Sequence, residues 1–171
     1  CVDRYWTDNS IESSYARGRP FPMFRGATAK PILANLPPYQ LRNLMLWHAA
    51  EIREAGLGDD WDAFRANLKR LRTAGVCVSH GEVDRGLMGI GAAIFSGEQK
   101  VVGSLVFIAS EAHTSAARLD ILQARIQVAA AEVSQNLQSP QSNGAAAIGI
   151  MPSRPRRIRA PAGAAPARPK A

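Results

Sequence analysis

The chain has 171 residues, of which 46% are hydrophobic and 20% are charged, so one domain with its own core is expected. No apolar run approaches the roughly 20 residues that span a bilayer, and Cys1 and Cys77 alone cannot form a disulfide framework. These features argue against a membrane-spanning protein and against a small disulfide-rich secreted domain, and they predict a cytoplasmic one. The residues from Cys1 to Trp6 also lack the basic start and apolar core of a signal peptide.

The net charge of +7 is concentrated near the C-terminus. The residues after 138 hold six cations and no acid, namely Arg154, Arg156, Arg157, Arg159, Arg168 and Lys170. Without them, 15 basic and 14 acidic residues remain, so the rest of the chain is almost neutral. Residues 139–171 are rich in Pro, Ala, Gly and Ser, a composition that buries too little apolar surface to offset the entropy of ordering. We predict a folded domain over residues 1–138 and a disordered basic tail over 139–171, either solvated or in contact with nucleic acid or acidic lipid.

The first third of the chain predicts one or two strands and then two short helices. Residues 1–17 contain the β-forming Val, Tyr, Trp, Thr and Ile, and turn residues follow from Gly18. A helix is predicted within residues 26–35, beginning near Lys30, because a proline such as Pro31 is best tolerated in a first turn. A second helix is predicted to begin at the prolines 37 and 38 and to run to about Trp47.

The next segment gives the clearest helix, from Asp60 to Ala74. Its apolar side chains recur at helical spacing, an aspartate precedes them as an N-cap, and Gly75 follows as a C-cap. Two β-rich runs follow over residues 76–83 and 87–95.

A polar loop from Ser96 to Lys100 then connects to an apolar strand from Val101 to Ala109, which is long enough to be central in a sheet. The last predicted helix is capped by Thr114, and its apolar stripe comprises Leu119, Leu122, Ile126, Ala129, Val133 and Leu137. Consecutive strands with short connections are antiparallel, so the fold class is α+β, with helices packed on an antiparallel sheet.

Three groups of residues between Cys77 and Gly91 suggest chemistry. Cys77 precedes His80 by three positions, but on a strand these side chains face opposite ways, which favours a buried structural thiol. On a strand, His80, Glu82 and Asp84 would share one face and could bind a divalent cation, although polar side chains beside a turn are ordinary. The glycines 86, 89 and 91 lie in a strand rather than at a strand-to-helix turn. They therefore indicate bending and close backbone approach rather than phosphate binding.

Three blocks of the sequence resemble the effector-binding domain of the IclR family of bacterial transcriptional regulators. The family's Gly…Pro…Ala-x-Gly-Lys-Ala-x-Leu-Ala block is similar to residues Gly18–Ala34, which are followed by Leu36 and Pro37. Its Arg-x-x-Gly-Tyr helix end is similar to Leu71–Val76. Its block close to Asp-Glu-Glu-x-x-x-Gly-x-x-x-Ile-Ala-Ala-Pro-Val is similar to Ser79–Ile94. The resemblance covers roughly residues 1–138.

The resemblance implies a GAF-like fold that binds a small metabolite, often a carboxylate or an aromatic acid, without a cofactor and without enzymatic activity. In the family, this effector modulates DNA binding by a winged helix–turn–helix domain, usually in dimers or tetramers. Carried over by position, the pocket comprises Phe21, Ala27, Thr28, Ser79, Leu87, Gly89, Val106 and Ile108. The anionic end of the effector would meet the amides of residues 27 and 28 and the serine.

This sequence departs from the family pattern in ways that affect the expected ligand and partner. Ala29 replaces the glycine before Lys30, and Ser79 stands where many members have an acid. Val106 and Ile108 occupy positions that are polar in members binding small acids, which implies a larger or more aromatic effector. No predicted helix pair forms a helix–turn–helix, so DNA binding is expected only through an N-terminal domain outside this chain. Two alternatives stay open: an enzyme that uses the metal-site residues or the thiol, and a dimerisation module with a basic tail.

Overall fold

The computed structural model describes residues 1–5, 13–14 and 16–138. Its helices are α1 (Gly26–Ala34), α2 (Pro38–Glu54), α3 (Trp61–Ala74) and α4 (Ala116–Gln138). Its strands are β1 (Cys77–His80), β2 (Leu87–Phe95) and β3 (Val101–Ser110), and a short 3-10 turn, Glu111–His113, precedes α4. The predicted α+β class is confirmed. No helix within the described residues is long and apolar enough to cross a membrane.

The described strands form one antiparallel sheet in the order β1-β2-β3. The long apolar β3, predicted to be central, has a single neighbour among the described residues, and the glycine-containing β2 lies in the middle. The predicted strands within residues 1–17 are not seen at residues 1–5, 13–14 or 16–17, and the rest of that segment lies outside the described residues.

Helices cover both faces of the sheet, and this arrangement creates two cores. Side chains of β2 that include Ile90 pack against α4 around Ile126, and both of these residues are fully buried. The opposite face contacts α1. Beyond α1, a second core lies among the first three helices around Phe64 and Ile52. Alternation along β2 therefore directs larger side chains toward α4 and the two glycines 89 and 91 toward α1.

Helix α1 begins at Gly26, four residues before the predicted start, and it contains Pro31 in its interior. A proline has no N–H to donate to the carbonyl four residues earlier, here that of Ala27. The backbone of Gly91 packs directly on that carbonyl, since a Cβ built at this glycine would lie 2.1 Å from the oxygen of Ala27. Tertiary packing therefore surrounds the carbonyl that the proline leaves without its helical partner.

The sequence predicted both ends of α3 and the start of α2, but it did not predict where α2 ends. Helix α3 has the predicted caps, because Asp60 accepts a hydrogen bond from the Ala63 amide and Gly75 adopts φ 69°. Helix α2 begins at the predicted proline but continues to Glu54, past a kink at His48.

The prediction that Thr114 caps α4 is wrong, because its hydroxyl donates to Ser110 O and Ser115 Oγ accepts from the Arg118 amide instead. The predicted apolar stripe of α4 is correct at Ile126 but exposed at Val133 and Leu137, and Ser134 is buried instead. This difference arises because the Ser134 hydroxyl accepts a hydrogen bond from the Phe95 amide, which fixes that side of the helix against the sheet.

Candidate functional site

Five of the predicted pocket residues lie on the sheet face that α1 covers: Ser79, Leu87, Gly89, Val106 and Ile108. The strand register places Ser79 opposite Gly89 and Gly89 opposite Ile108, and the neighbouring pair joins Gly91 to Val106. The glycines allow α1 to approach closely, as the sequence predicted. A Cβ at Gly89 would lie 2.9 Å from Ser79 Oγ and 3.1 Å from the Ala27 Cβ.

The first turn of α1 is already hydrogen-bonded to the residues around β1. The Ala27 amide donates to Ser79 Oγ over 3.0 Å, and both residues are buried. The Gly26 amide donates to Glu82 Oε2 over 2.9 Å. In this conformation, the Ala27 amide and the Ser79 hydroxyl oxygen are therefore hydrogen-bonded to each other. The amides of residues 27 and 28 were both predicted to meet the anionic end of an effector. Of these two, only the Thr28 amide is not hydrogen-bonded to a side chain among the described residues.

Glu82 also forms an ion pair with Lys30, whose ammonium lies 2.6 and 2.7 Å from its two carboxylate oxygens. The Lys30 side chain is only 10% exposed and that of Glu82 is 27% exposed, so this pair is much less screened than a surface pair. Glu82 thus acts as a cap from outside the helix, since a carboxylate at a helix N-terminus is stabilised by the unpaired amides and the helix dipole.

Beside this cluster, a groove of about 1050 Å³ runs along α1, α2 and β3. The lining includes five consecutive residues of β3, 102–106, which shows that the groove follows the strand's edge and not only one face. Much of its wall is apolar, and four of the predicted pocket residues line it: Phe21, Thr28, Val106 and Ile108. The other four, Ala27, Ser79, Leu87 and Gly89, do not line it.

Three of those four residues surround a second, much smaller space. Ser79, Leu87 and Gly89 line a cavity of about 10 Å³ beneath the loop that carries Glu82. A space of this size holds about one water molecule and no metabolite. Ile108 lines both the small cavity and the groove.

The polar groups of the groove differ in burial. Ser104 donates from its hydroxyl to Thr28 O over 2.8 Å, which ties β3 to α1. The Thr28 hydroxyl oxygen is buried and has no hydrogen-bond partner among the described residues. Arg4 and Arg19 are exposed and line the outer part of the groove.

Sequence reasoning did not assign most of the groove's lining residues, among them Ser104, Trp47 and Arg19. Ser104 is marked in the sequence only by being a single hydroxyl within an apolar run. Trp47 lines the groove although its residue surface is 79% exposed, and Arg19 lies in a segment that the sequence indicated as a turn and as part of the first family block.

The shared face of His80, Glu82 and Asp84, which the sequence left open as an alternative metal site, does not form, because β1 ends at His80 and the following Gly81 turns with φ 58°. The three side chains then diverge. His80 Nδ1 lies 3.3 Å from Glu111, Glu82 bonds α1, and Asp84 accepts from the hydroxyl of Ser13 and the amide of residue 14. Among the described residues, no group of three His, Cys, Asp or Glu side chains could hold a metal ion.

Cys77 is a buried free thiol on the α1 side of the sheet. Burial raises its pKa from 9.0 to about 11, while the Lys30 charge lowers it and the Glu82 charge raises it by smaller amounts. Because the thiolate is the nucleophilic form, this environment is unsuited to a catalytic thiol. The sequence prediction of a buried structural cysteine therefore agrees with the geometry.

Solved structures with the same fold come from bacterial regulators. The C-terminal domain of a protein from Vibrio cholerae that is described as a transcriptional regulator is 25% identical, with a TM-score of 0.59, and the match covers 80% of this chain and 76% of that one. The repressor BlcR of Agobacterium tumefaciens is 20% identical with a TM-score of 0.61. The match covers 74% of this chain and 51% of BlcR, so the chain spans about half of that protein.

A third similar structure contains a bound ligand. The inducer-binding domain of PobR from Acinetobacter, a double mutant solved as a complex with 3-hydroxybenzoic acid, is 17% identical with a TM-score of 0.60. The match covers 76% of this chain and 77% of that domain. No protein of curated function matches the sequence.

The model of the C-terminal domain of bacterial IclR transcriptional regulators matches residues 1–135, which is most of the chain. This agrees with the three sequence blocks and with the architecture. The family is one of transcriptional regulators and not of enzymes. The chain belongs to the IclR family of bacterial transcriptional regulators and contains its C-terminal domain.

Proposed function

We propose that this domain senses a small metabolite, a carboxylate or an aromatic acid, and thereby modulates DNA binding by a winged helix–turn–helix domain outside this chain. The observation that carries the proposal is the groove of about 1050 Å³ between α1, α2 and β3. Its size and its combination of apolar walls with a few polar groups are typical of small-molecule sites. The complex of the PobR domain with 3-hydroxybenzoic acid supports an aromatic acid as the first class to test.

The eight predicted pocket residues contribute to this site in two ways. Phe21, Thr28, Val106 and Ile108 line the groove and would contact the effector directly. The other four, Ala27, Ser79, Leu87 and Gly89, would act from behind that wall by fixing α1 against the sheet. The apolar side chains at 106 and 108 favour an aromatic or long aliphatic body over a compact acid.

Calorimetric titration of the protein with aromatic and aliphatic acids tests this proposal. Trp47 provides a second readout, since it lines the groove and is exposed, so its fluorescence should change with ligand. Trp47→Phe should abolish that change and assign the signal to the groove.

A matched pair of substitutions places the ligand within the groove. Ala29→Phe would fill the groove at α1, and we expect at least about a tenfold loss of affinity, because overlap with a bound ligand costs more than 1.4 kcal/mol. Ala117→Phe, on the exposed start of α4, should leave binding unchanged. Equal affinities of the two variants, or no binding of any acid to the unmodified protein, would refute the proposed site.

We further propose that the regulator works in the cytoplasm as a homo-oligomer, a dimer or a tetramer, and that DNA is contacted through the N-terminal domain. Sedimentation with and without residues 139–171 separates this from a dimerisation module that depends on its basic tail. If removing residues 139–171 abolishes association, the dimerisation module that depends on the basic tail is favoured.

A further inference from the structure

Thr28 carries a hydroxyl that the fold itself does not use. Its oxygen is buried without a hydrogen-bond partner among the described residues, although the residue lines the groove. A hydroxyl inside a helix commonly bonds the carbonyl of the preceding turn. Thr28 lies in the first turn of α1, and Arg25 before it is extended, so no helical carbonyl is available there. A buried hydroxyl without a partner costs free energy, and a ligand that bonds it would remove that cost.

Ser104 on β3 provides a second polar group at the same point. Its hydroxyl donates to Thr28 O over 2.8 Å, so the two residues meet where α1 and β3 form adjoining walls of the groove. A serine hydroxyl has one hydrogen and two lone pairs. Because that hydrogen is already used on the carbonyl, Ser104 Oγ is left to accept from a ligand. A carboxylate or a carbonyl oxygen, which has no hydrogen to donate, is therefore disfavoured beside it.

The walls around these two hydroxyls are apolar. Val106 follows Ser104 on the same face of β3, and Ile32 lies one turn after Thr28 on α1, and both line the groove. Among the described lining residues, none on α1 or β3 is charged. This part of the groove therefore selects a neutral group that both donates and accepts a hydrogen bond.

We propose that Ser104 and Thr28 together bind a hydroxyl group of the effector, which donates to Ser104 Oγ and accepts from the Thr28 hydroxyl. Threonine adopts two χ1 rotamers in helices, so rotation about one bond turns its hydroxyl toward the ligand. The effector is thus a hydroxylated acid whose carboxylate lies elsewhere in the groove. This inference rests on the proposed function, since it names the chemical class of ligand for that groove and makes Ser104 a specificity-determining residue.

Three matched forms of each acid test this class: the unsubstituted acid, the acid with one hydroxyl, and the acid with that hydroxyl methylated. Benzoic, naphthoic and octanoic acid serve as the parent acids, with the hydroxyl placed at each position in turn. Calorimetry with the whole chain should find a hydroxylated form that binds about tenfold more tightly than the unsubstituted acid. It should also bind about fivefold more tightly than its methyl ether, which cannot donate to Ser104 Oγ.

Ser104→Ala tests the accepting group. It should weaken binding of the preferred hydroxylated acid by about fivefold and change binding of the unsubstituted acid less than about twofold. Ser110→Ala removes a hydroxyl from the same strand at a residue that does not line the groove, and it should change neither affinity. Equal weakening of both acids by Ser104→Ala would contradict a specific contact with the ligand hydroxyl.

Thr28→Val tests the second group independently. Valine keeps the shape of the side chain and removes the oxygen without a partner, so the free protein should be at least as stable to urea. Binding of the hydroxylated acid should nevertheless weaken by about fivefold, whereas binding of the unsubstituted acid should not. A variant that is less stable and weakens both acids equally would show that this hydroxyl is structural, and it would overturn the assignment.

The outcomes also separate this inference from the proposed function. If unsubstituted acids bind and no hydroxylated form binds more tightly, the inference is wrong and the groove remains an effector site. If no form of any acid binds the unmodified protein, the proposed function fails and the inference fails with it. Circular dichroism monitors folding of the variants, and the ligand series on the unmodified protein decides even if neither variant folds.

Discussion

Cys77 shows how one side chain can couple folding to pH. Burial raises its thiol pKa from 9.0 to about 11, so the folded protein retains the proton over a pH range in which the unfolded chain has lost it. This contribution to stability is complete below pH 9 and is lost as the pH rises toward 11, because only the unfolded state gains the favourable ionisation there.

We predict that the difference in unfolding free energy between the unmodified protein and Cys77→Ala falls by up to about 2 kcal/mol from pH 9 to pH 11. Urea unfolding at a series of pH values measures it, and other titrating groups cancel because both proteins contain them. Cys1→Ala, at a partly exposed position, is the matched control and should show no such change. A constant difference for Cys77→Ala would contradict the raised pKa.

At the scale of elements, the contact between α1 and β2 depends on the absence of a side chain at position 91. A Cβ on Gly91 would lie 2.1 Å from the Ala27 carbonyl oxygen and 3.0 Å from its carbon, and these are backbone atoms that no rotamer change can move. The same carbonyl lacks a helical partner because of Pro31. The close approach and the internal proline are therefore two parts of one packing arrangement.

Gly91→Ala should destabilise the protein by about 3 kcal/mol, since α1 must move off the sheet to accommodate the methyl group. Gly103→Ala is the control within the same sheet, because a Cβ there meets nothing within 4 Å. It should be neutral or slightly stabilising, as expected when a strand glycine is replaced without a clash. Urea unfolding compares the two variants, and equal stabilities would show that the helix can shift at little cost.

Local signals predicted some elements fully and others only in part. Both ends of α3 were predictable, because Asp60 and Gly75 act within a few residues of the helix they cap. The start of α1 was not, because Pro31 is tolerated through a contact with Gly91, sixty positions away in the chain. Periodicity indicates which face an element buries. It does not reveal the distant contacts that allow a locally unfavourable residue, such as a proline inside a helix.

The candidate site shows the same division. The strand register brings together Ser79, Gly89 and Ile108, which were carried over from the family resemblance, and the close approach that the glycines indicated is present. The bonds from Gly26 and Lys30 to Glu82 could not be predicted, because they join segments more than fifty residues apart through a loop that was expected to be strand. The sequence therefore located the sheet face that α1 covers but not the Glu82–Lys30 ion pair at the start of α1.

At the scale of the whole molecule, the boundary that we predict after residue 138 divides the sequence by charge. The last side chain that α4 buries is Ser134, and the family match ends at residue 135. Six of the 21 cations lie beyond the boundary without a single acid. The part before it is nearly neutral, so we expect any general attraction to nucleic acid to come from the segment 139–171.

A chain that ends at Gln138 should therefore keep its melting temperature within about 1 °C, since the loss of even 1 kcal/mol would lower it by several degrees.

Removing six cations should also reduce the slope of log affinity against log salt for non-specific duplex DNA by up to about 5, because each neutralised phosphate contributes about 0.9. A full-length variant with those six residues replaced by Gln keeps the length and isolates the charge. A lower melting temperature would place the boundary further along the chain, and an unchanged salt slope would show that the six cations do not contact DNA.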